Sequence, residues 1–294
     1  MYTVLANDMT KCMKFCSSVV FADDTTIIIS GNKLKYLFQK MNEDLKTLTQ
    51  WFNVNSLSLN VEKSNYILFR TKNKKRDFDG KIKMENRDVK QVSYTKFLGV
   101  IIDENLDWNM HIKHVLLKLA SGIYSIHATK NLLPTSSKRL LYFSNVQSHL
   151  IYGLSAWGPM ITASNLRKLR VQQNNAIRAL FNLNRRTSLQ QYYKKANIMK
   201  VENLIELSLL KISYRYVNNT LPKRIVNLFE IPNHDYYTRN RNAPLTPQHT
   251  LQIYNKSFLA KSPHLWLHLP TVIRNKQNIK SFSKAYSKYK IDLL

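Results

Sequence analysis

Asp23 and Asp24 stand side by side in Phe21-Ala22-Asp23-Asp24-Thr25, between two short β-branched runs at residues 19–21 and 26–30. Two apolar runs broken by a short polar step predict a β-hairpin with an acidic tip. Neighbouring side chains of a strand face opposite ways, but a turn lets both acids enter one cleft. Carboxylate oxygens are the ligands Mg²⁺ takes, leaving its other positions for phosphate and water. Two such ions about 3.5–4 Å apart stabilise the attacking and leaving oxygens of a phosphoryl transfer. Ordinary turn chemistry is the competing reading, since Asp favours turns for the hydrogen bonds its side chain makes there.

Other chemistry-bearing residue types are sparse. Cys12 and Cys16 are the only cysteines, and His111 and His114, three residues apart, the closest histidine pair. A zinc site needs more ligands than that, so the thiols read as buried or half-buried packing. There is no phosphate-binding Gly-rich loop and no G-x-S-x-G elbow.

The elements that must position the acids follow from periodicity. Leu34, Leu37, Phe38, Met41, Leu45, Leu48 and Trp51 recur three and four residues apart, an amphipathic helix over 33–52. Residues 64–69 (SNYILF) and 97–103 (FLGVIID) read as strands, the second with Gly99 allowing a bend. The helix then crosses one face of a sheet. Residues 70–90 are a basic, polar loop or hairpin. Beyond Trp108 the pattern turns helical. One stripe is Ile112, Val115, Leu116, Leu119, Ile123 and Ile126. A second is Leu140, Leu141, Val146, Leu150 and Ile151, closed near Gly153. A third is Leu166, Leu169, Gln173, Ala176, Ile177 and Leu180. Further helices are expected over 200–218 and 278–291, with a Pro- and Asn-rich linker at 232–250.

Charge divides the 294-residue chain unevenly. Residues 1–109 hold 17 basic and 13 acidic residues, whereas 110–294 hold 28 basic and 5 acidic, within a net charge of +27. Such a field attracts polyanions, nucleic acid above all, because phosphate contacts release counterions. A merely soluble basic surface is the plainer alternative. No apolar run approaches the roughly 18 residues of a membrane span. The start has no long apolar core or small-residue cleavage site, so no secretory leader is expected. Two cysteines imply a reducing compartment and no disulfide-linked partner.

Several segments, taken in order, resemble the reverse transcriptases of non-LTR retrotransposons, jockey-like in detail. Phe21-Ala22-Asp23-Asp24 is similar to their F/Y-A-D-D motif. Residues 2–9 (YTVLANDM) resemble the stretch just before it, and residues 57–64 (LSLNVEKS) the motif L-x-L-N-x-x-K-[ST]. Phe97-Leu98-Gly99, followed by Asp103, Leu106, Trp108, His111 and Ile112, resembles the primer-grip strand and the start of the thumb. Residues 148–153 (SHLIYG), Trp157-Gly158, Gln173 and Arg178 match the helical region downstream. Thr238-Arg239 and Trp266 with Leu269-Pro270 look like the closing segment. The resemblance covers nearly the whole chain.

It implies an α+β fold: a partial palm over 1–104, with an antiparallel sheet and packed helix. A mainly helical thumb and connector over 105–230 and a basic extension over 231–294 would follow. The reaction implied is RNA-directed DNA polymerisation, with Mg²⁺ as cofactor and an RNA template, a DNA primer or target and dNTP as partners. No membrane partner is implied. Asp23 and Asp24 would be the metal-binding carboxylates, Asp23 the stronger direct ligand. Lys63 would lie near departing pyrophosphate and support that leaving group. An ordinary solvated lysine is the alternative. Phe97, Leu98 and Gly99 would back the primer terminus, or be plain core strand. Lys138, Arg139, Arg167, Lys168, Arg170, Arg178, Arg185 and Arg186 would contact nucleic acid. Of the aromatics among them (Tyr142, Phe143, Phe181), more are expected in the core than under bases.

Only 22 residues precede Asp23, too few for the family's fingers and its other catalytic Asp. The expectation is a truncated enzyme, inactive by itself, located inside the cell in nucleus or cytoplasm. A missing neighbour strand would leave an open sheet edge and marginal solubility. A non-catalytic nucleic-acid-binding module, or a gene remnant, is the alternative. Residues 72–76 are the one convincing basic import signal.

Overall fold

The structure is a computed structural model that describes residues 8–70, 78–229 and 252–293. Residues 2–7 of the first motif, the basic run 72–76, the 232–250 stretch and Thr238-Arg239 lie outside the described residues. The chain divides into two compact units, Met1–Leu106 and Asp107–Leu294. The architecture is α+β, with its strands in the first unit. No described helix is long and apolar enough to cross a membrane.

In the first unit β1 (Ser17–Phe21) and β2 (Asp24–Ile28) pair antiparallel, with Phe21 opposite Asp24. The loop is therefore two residues, Ala22-Asp23. Ala22 sits at φ 53°, a left-handed conformation that costs a residue with a Cβ roughly 1–2 kcal/mol. Two-residue loops need such backbone to match the strands' twist. The acidic turn thus starts where the β-branched pattern suggested but ends two residues earlier, and Asp24 already belongs to the second strand.

Helix α1 (Leu34–Val54) carries the predicted stripe. Phe38, Leu45, Leu48 and Phe52 are buried with Met9, Ile82 and Val89, and Val20 and Ile27 from the hairpin's inner face pack against them. Period-2 alternation along β1 accounts for this, because Val20 faces the helix while Val19 and Phe21 face away. Asn42 on α1 fixes the neighbouring segment at both ends of its amide. Its Nδ2 donates to the Lys81 carbonyl (3.0 Å), and its Oδ1 accepts from the Lys83 N–H (2.8 Å).

The rest of the sheet corrects the sequence reading. Residues 64–69 give only β3 (Asn65–Tyr66). β4 (Lys83–Met84) and β5 (Arg87–Asp88) form a hairpin whose loop, Glu85-Asn86, has φ 51° and 61°. β6 (Lys90–Gln91) pairs with β3, and it pairs parallel. Residues 97–103 are not one strand but the turn and second arm of a hairpin, β7 (Tyr94–Phe97) with β8 (Val100–Asp103). Leu98 (φ 45°) and Gly99 (φ 83°) are both left-handed, the pair of conformations a two-residue hairpin loop demands. The antiparallel sheet expected is therefore a set of two-stranded pieces, one of them parallel.

The second unit is helical. Its helices are α2 (Asn109–Ala128), α3 (Thr135–Tyr142), α4 (Ser148–Ile151), α5 (Leu154–Trp157), α6 (Ala163–Phe181) and α7 (Gln190–Ala196). They continue with α8 (Val201–Val217), α9 (Lys223–Val226), α10 (Gln252–Asn255), α11 (Phe258–Leu267), α12 (Thr271–Arg274) and α13 (Ile279–Asp292). α2 packs on α6, and α8 packs on α11 and α13. Thr162 caps α6 through the Asn165 N–H, and Asn278 with Ser281 forms a reciprocal capping box on α13.

Between α3 and α4 lies a π-helical turn, Phe143–Gln147. Its extra residue rotates the predicted second stripe. Tyr142, Val146 and Leu150 become fully buried, while Leu140 and Ile151 are exposed. Gly122 of α2 meets this turn: a Cβ there would stand 2.3 Å from the Asn145 carbonyl oxygen. The glycine lets the helix approach that backbone. Gly153, at φ 61°, closes the segment as expected.

His111 is 3 % exposed beside Trp108 and Trp157, ring centres 6.3 and 5.1 Å away. Burial first, and the nearby His114 second, push its pKa down to about 4. The unfolded chain takes up that proton near pH 6.5. Stability from neutral His111 is thus full above pH 6.5 and lost as pH falls toward 4. Thermal melts of the helical unit should fall between pH 7 and 4.5, and His111→Phe should flatten the dependence. An unchanged slope in that variant would remove His111 as the cause.

Candidate functional site

The hairpin tip is built from below by Asp44. This α1 carboxylate is 2 % exposed, yet accepts three backbone hydrogen bonds, from Lys14 (3.0 Å), Phe15 (2.9 Å) and Cys16 (2.8 Å). Burial alone would raise its pKa, but the three N–H donors outweigh it and hold Asp44 below the usual carboxylate range. Cys16 shares the anchor. Burial and then the Asp44 carboxylate push its thiol up to about 12. β1 starts at the next residue, so this cradle sets where the hairpin leaves the helix. Periodicity could not expose it, since Asp44 sits one position from Leu45 in an apolar stripe; only its burial shows its role.

Asp23 and Asp24 project at the far end. Both are exposed, and neither takes a hydrogen bond or ion pair among the described residues. Asp24 lies on the outward face with Phe21 (61 % exposed), Val19 and Ile28. That face combines open apolar surface with carboxylate, a surface able to meet a ligand having both flat and cationic parts. The oxygens are the hard donors Mg²⁺ prefers. Among the described residues, however, no group of three or more His, Cys, Asp or Glu comes together. The donors fit one weakly held Mg²⁺ that would rely on phosphate and water for its remaining positions. They do not assemble a two-ion site.

Lys63 is exposed, in a turn pinned by Asn60, whose side chain accepts the Lys63 N–H (3.1 Å) and whose carbonyl accepts the Ser64 hydroxyl (2.9 Å). Phe97, Leu98 and Gly99 form the tip of the β7–β8 hairpin, half-buried. A left-handed tip presents backbone rather than a run of strand side chains, so any support these residues give is through that turn.

The cations of the helical unit sort into two groups. Arg167, Lys168, Arg185 and Arg186 are exposed. The others are engaged or partly buried. Lys138 is 3 % exposed with its Nζ 3.4 Å from the Lys130 carbonyl, so it serves the end of α2 rather than solvent. Arg139 donates from Nε to the Ala196 carbonyl (2.6 Å). Arg170 is ion-paired with Glu202. Arg178 is half-buried on α6. Tyr142 is core, its hydroxyl accepting from the Gln173 amide (2.9 Å), and Phe143 and Phe181 are half-buried. Glu206 is likewise engaged, accepting from Tyr286 and Lys290 at 2.6 Å each. The positive excess of this unit is therefore left to its surface.

No family model matches the chain, and no solved structure matches it. Curated relatives do. The chain is 26 % identical over 163 residues to the probable RNA-directed DNA polymerase from transposon BS of Drosophila melanogaster, covering 54 % of this chain and 18 % of that protein. It is 24 % identical over 163 residues to the RNA-directed DNA polymerase from mobile element jockey of the same organism, covering 54 % and 17 %. It is 27 % identical over 114 residues to the retrovirus-related Pol polyprotein from type-1 retrotransposable element R1 2 of Nasonia vitripennis, covering 37 % and 28 %. The matches span about a fifth to a quarter of those relatives' length. Over roughly half its residues, then, the chain is a relative of the jockey-like RNA-directed DNA polymerases of non-LTR retrotransposons.

Proposed function

We propose that this chain carries the catalytic-hairpin part of a retrotransposon RNA-directed DNA polymerase, with the first unit acting as palm and the helical unit as thumb. The observation that carries the reading is the two-residue tip Ala22-Asp23, followed directly by Asp24, on a hairpin clamped to α1. In this reading Asp23 and Asp24 bind Mg²⁺, which supplies charge stabilisation to phosphoryl transfer. The β7–β8 turn supports a primer end, and Lys63 faces the leaving phosphates.

These 294 residues by themselves do not polymerise, in this reading, because two carboxylates hold a pair of ions poorly. The test is primer extension by the purified chain on an RNA template with Mg²⁺ and dNTP. No product is expected. Template-dependent incorporation abolished by Asp23→Ala would overturn the inactivity while keeping the family reading.

A second reading, binding of nucleic acid without catalysis, is favoured by the exposed Arg167, Lys168, Arg185 and Arg186. Affinity for duplex should then fall steeply with salt, each lost phosphate contact reducing the log–log slope by about 0.9. Replacing all four by alanine should lower that slope by about 3.6. A wild-type affinity flat in salt would sink it.

A further inference from the structure

The helical unit contains a cavity that none of the roles above uses. It holds about 250 Å³ and lies between the π-helical turn, the α7–α8 connection and α13. Two cations line it, Arg139 and Lys284, and no carboxylate does. Arg139 is held in place from two sides. Its Nε donates to the Ala196 carbonyl at 2.6 Å, and its guanidinium lies over the Phe143 ring, 4.6 Å from the centre. Its terminal nitrogens have no protein partner among the described residues. A guanidinium fixed by one edge and one face presents its remaining donors in a rigid fork, the geometry that suits phosphate oxygens. Lys284, on α13, is exposed and unpaired among the described residues, a second charge lining the cavity.

The remaining lining is mixed. Gln147 carries a buried side-chain oxygen with no hydrogen-bond partner. Leaving such an acceptor unmade is costly, and a ligand N–H would satisfy it. Met199 and Ile291 supply an apolar floor, and Ser287 a hydroxyl. Phe143 and Gln147 both come from the π turn, a distortion frequent at functional sites.

We propose that this cavity binds one nucleotide unit, its phosphate on Arg139 and Lys284 and its base on the Met199–Ile291 floor, donating an N–H to Gln147. A doubly cationic wall selects the phosphate. The apolar floor and the orphaned acceptor select a flat ring bearing an amino group over a bare anion. The volume admits a single unit and excludes a duplex. The unit is either a free nucleoside monophosphate or one residue turned out of a single strand. The assignment stands on the cavity's own lining and does not depend on the polymerase reading.

The test is calorimetric titration of the full chain with adenosine monophosphate, with inorganic phosphate and with a twelve-residue single-stranded RNA. Adenosine monophosphate should bind at least tenfold more tightly than phosphate. Lys284→Glu and Gln147→Ala should each weaken it at least tenfold with unchanged thermal melts, whereas Lys118→Glu, the same charge change on an exposed residue of α2, should not. Arg139→Lys should weaken it too; because Arg139 also ties α3 to Ala196, the exposed Lys284 variant is the deciding one. If the RNA binds and is displaced by the mononucleotide, the source is a strand; if the mononucleotide binds and the RNA shows no Lys284 dependence, it is the free nucleotide. Equal binding of phosphate and adenosine monophosphate, or affinities for both probes untouched by Lys284→Glu, would overturn the assignment.

Discussion

Asp44→Ala should destabilise the hairpin-bearing unit by about 3–5 kcal/mol, the largest single effect expected in that unit. The substitution removes the acceptor of three backbone N–H groups at 2.8–3.0 Å. A buried donor left unsatisfied costs about 1–3 kcal/mol, and bonds to a charged acceptor sit at the upper end. Asn is no rescue: its amide nitrogen would face either the Lys14 N–H or the paired donors of Phe15 and Cys16. Urea denaturation gives the free energy. Amide hydrogen exchange gives the location, with protection at Lys14, Phe15 and Cys16 expected in the wild type and absent in the variant. Loss of stability without loss of protection there would refute the cradle. The depressed pKa of Asp44 adds an acid arm. Its contribution is complete above the unfolded carboxylate value near 3.9 and disappears as pH falls through the lower folded value. Because β1 begins at Ser17, the same change should also free the acidic tip from its register on α1.

The helical unit has a comparable keystone in Gln173. It is fully buried on α6 and its amide makes three bonds. Nε2 donates to the Tyr142 hydroxyl and the Met199 carbonyl, each at 2.9 Å, and Oε1 accepts the Val201 N–H at 2.8 Å. Val201 opens α8, so its N–H has no partner within its own helix. Lys200 before it offers no side-chain cap. One side chain therefore joins α3, α6 and the start of α8. Gln173→Leu keeps the volume and strands three polar groups, which should cost about 3–4 kcal/mol. In a unit this size that lowers Tm by roughly 6–15 °C. Asn175→Ala, on the exposed face of the same helix, should change Tm little. A Tm within 2 °C of wild type for Gln173→Leu, roughly the shift from a 1 kcal/mol loss or less, would show that water replaces the bonds.

Gln173 is a polar residue inside an apolar stripe and Asp44 lies beside one, which is why the sequence hides them. Gln173 belongs to the third stripe and lies at its buried face, but the sequence names no partner for it. Asp44 lies outside the stripe of α1, and periodicity assigns it no role. The helix spacing itself was legible. The repeats at three and four residues located α1, α2 and α6, because a helix buries one face and its period is local. The acidic hairpin was legible for the same reason, as alternation broken by a short polar step.

The strands after α1 were less so. Residues 97–102 are apolar apart from Gly99, and a glycine there reads equally as a bend within one strand or a turn between two. The left-handed backbone of Leu98-Gly99 is what separates the two. Residues 64–69 are β-branched or aromatic enough for a strand, yet only two of them find a partner, in β6. Strand length is set by what lies alongside, which is a property of the assembled unit.

Charge sorted in the same way. The excess of basic residues is fixed by composition and requires a cationic surface, since few acids exist to neutralise it. Which cations form that surface is decided by packing. Lys138 is drawn inward to a helix-end carbonyl and Arg139 to Ala196, while Arg167, Lys168, Arg185 and Arg186 remain in solvent. The amino-acid order therefore determined the helices, the acidic turn and the sign of the field, all quantities that depend on near neighbours or on sums. Tertiary structure decided the hairpin at Leu98-Gly99, the Asp44 and Gln173 anchors and the cavity at Arg139, because each depends on backbone groups brought together from distant positions.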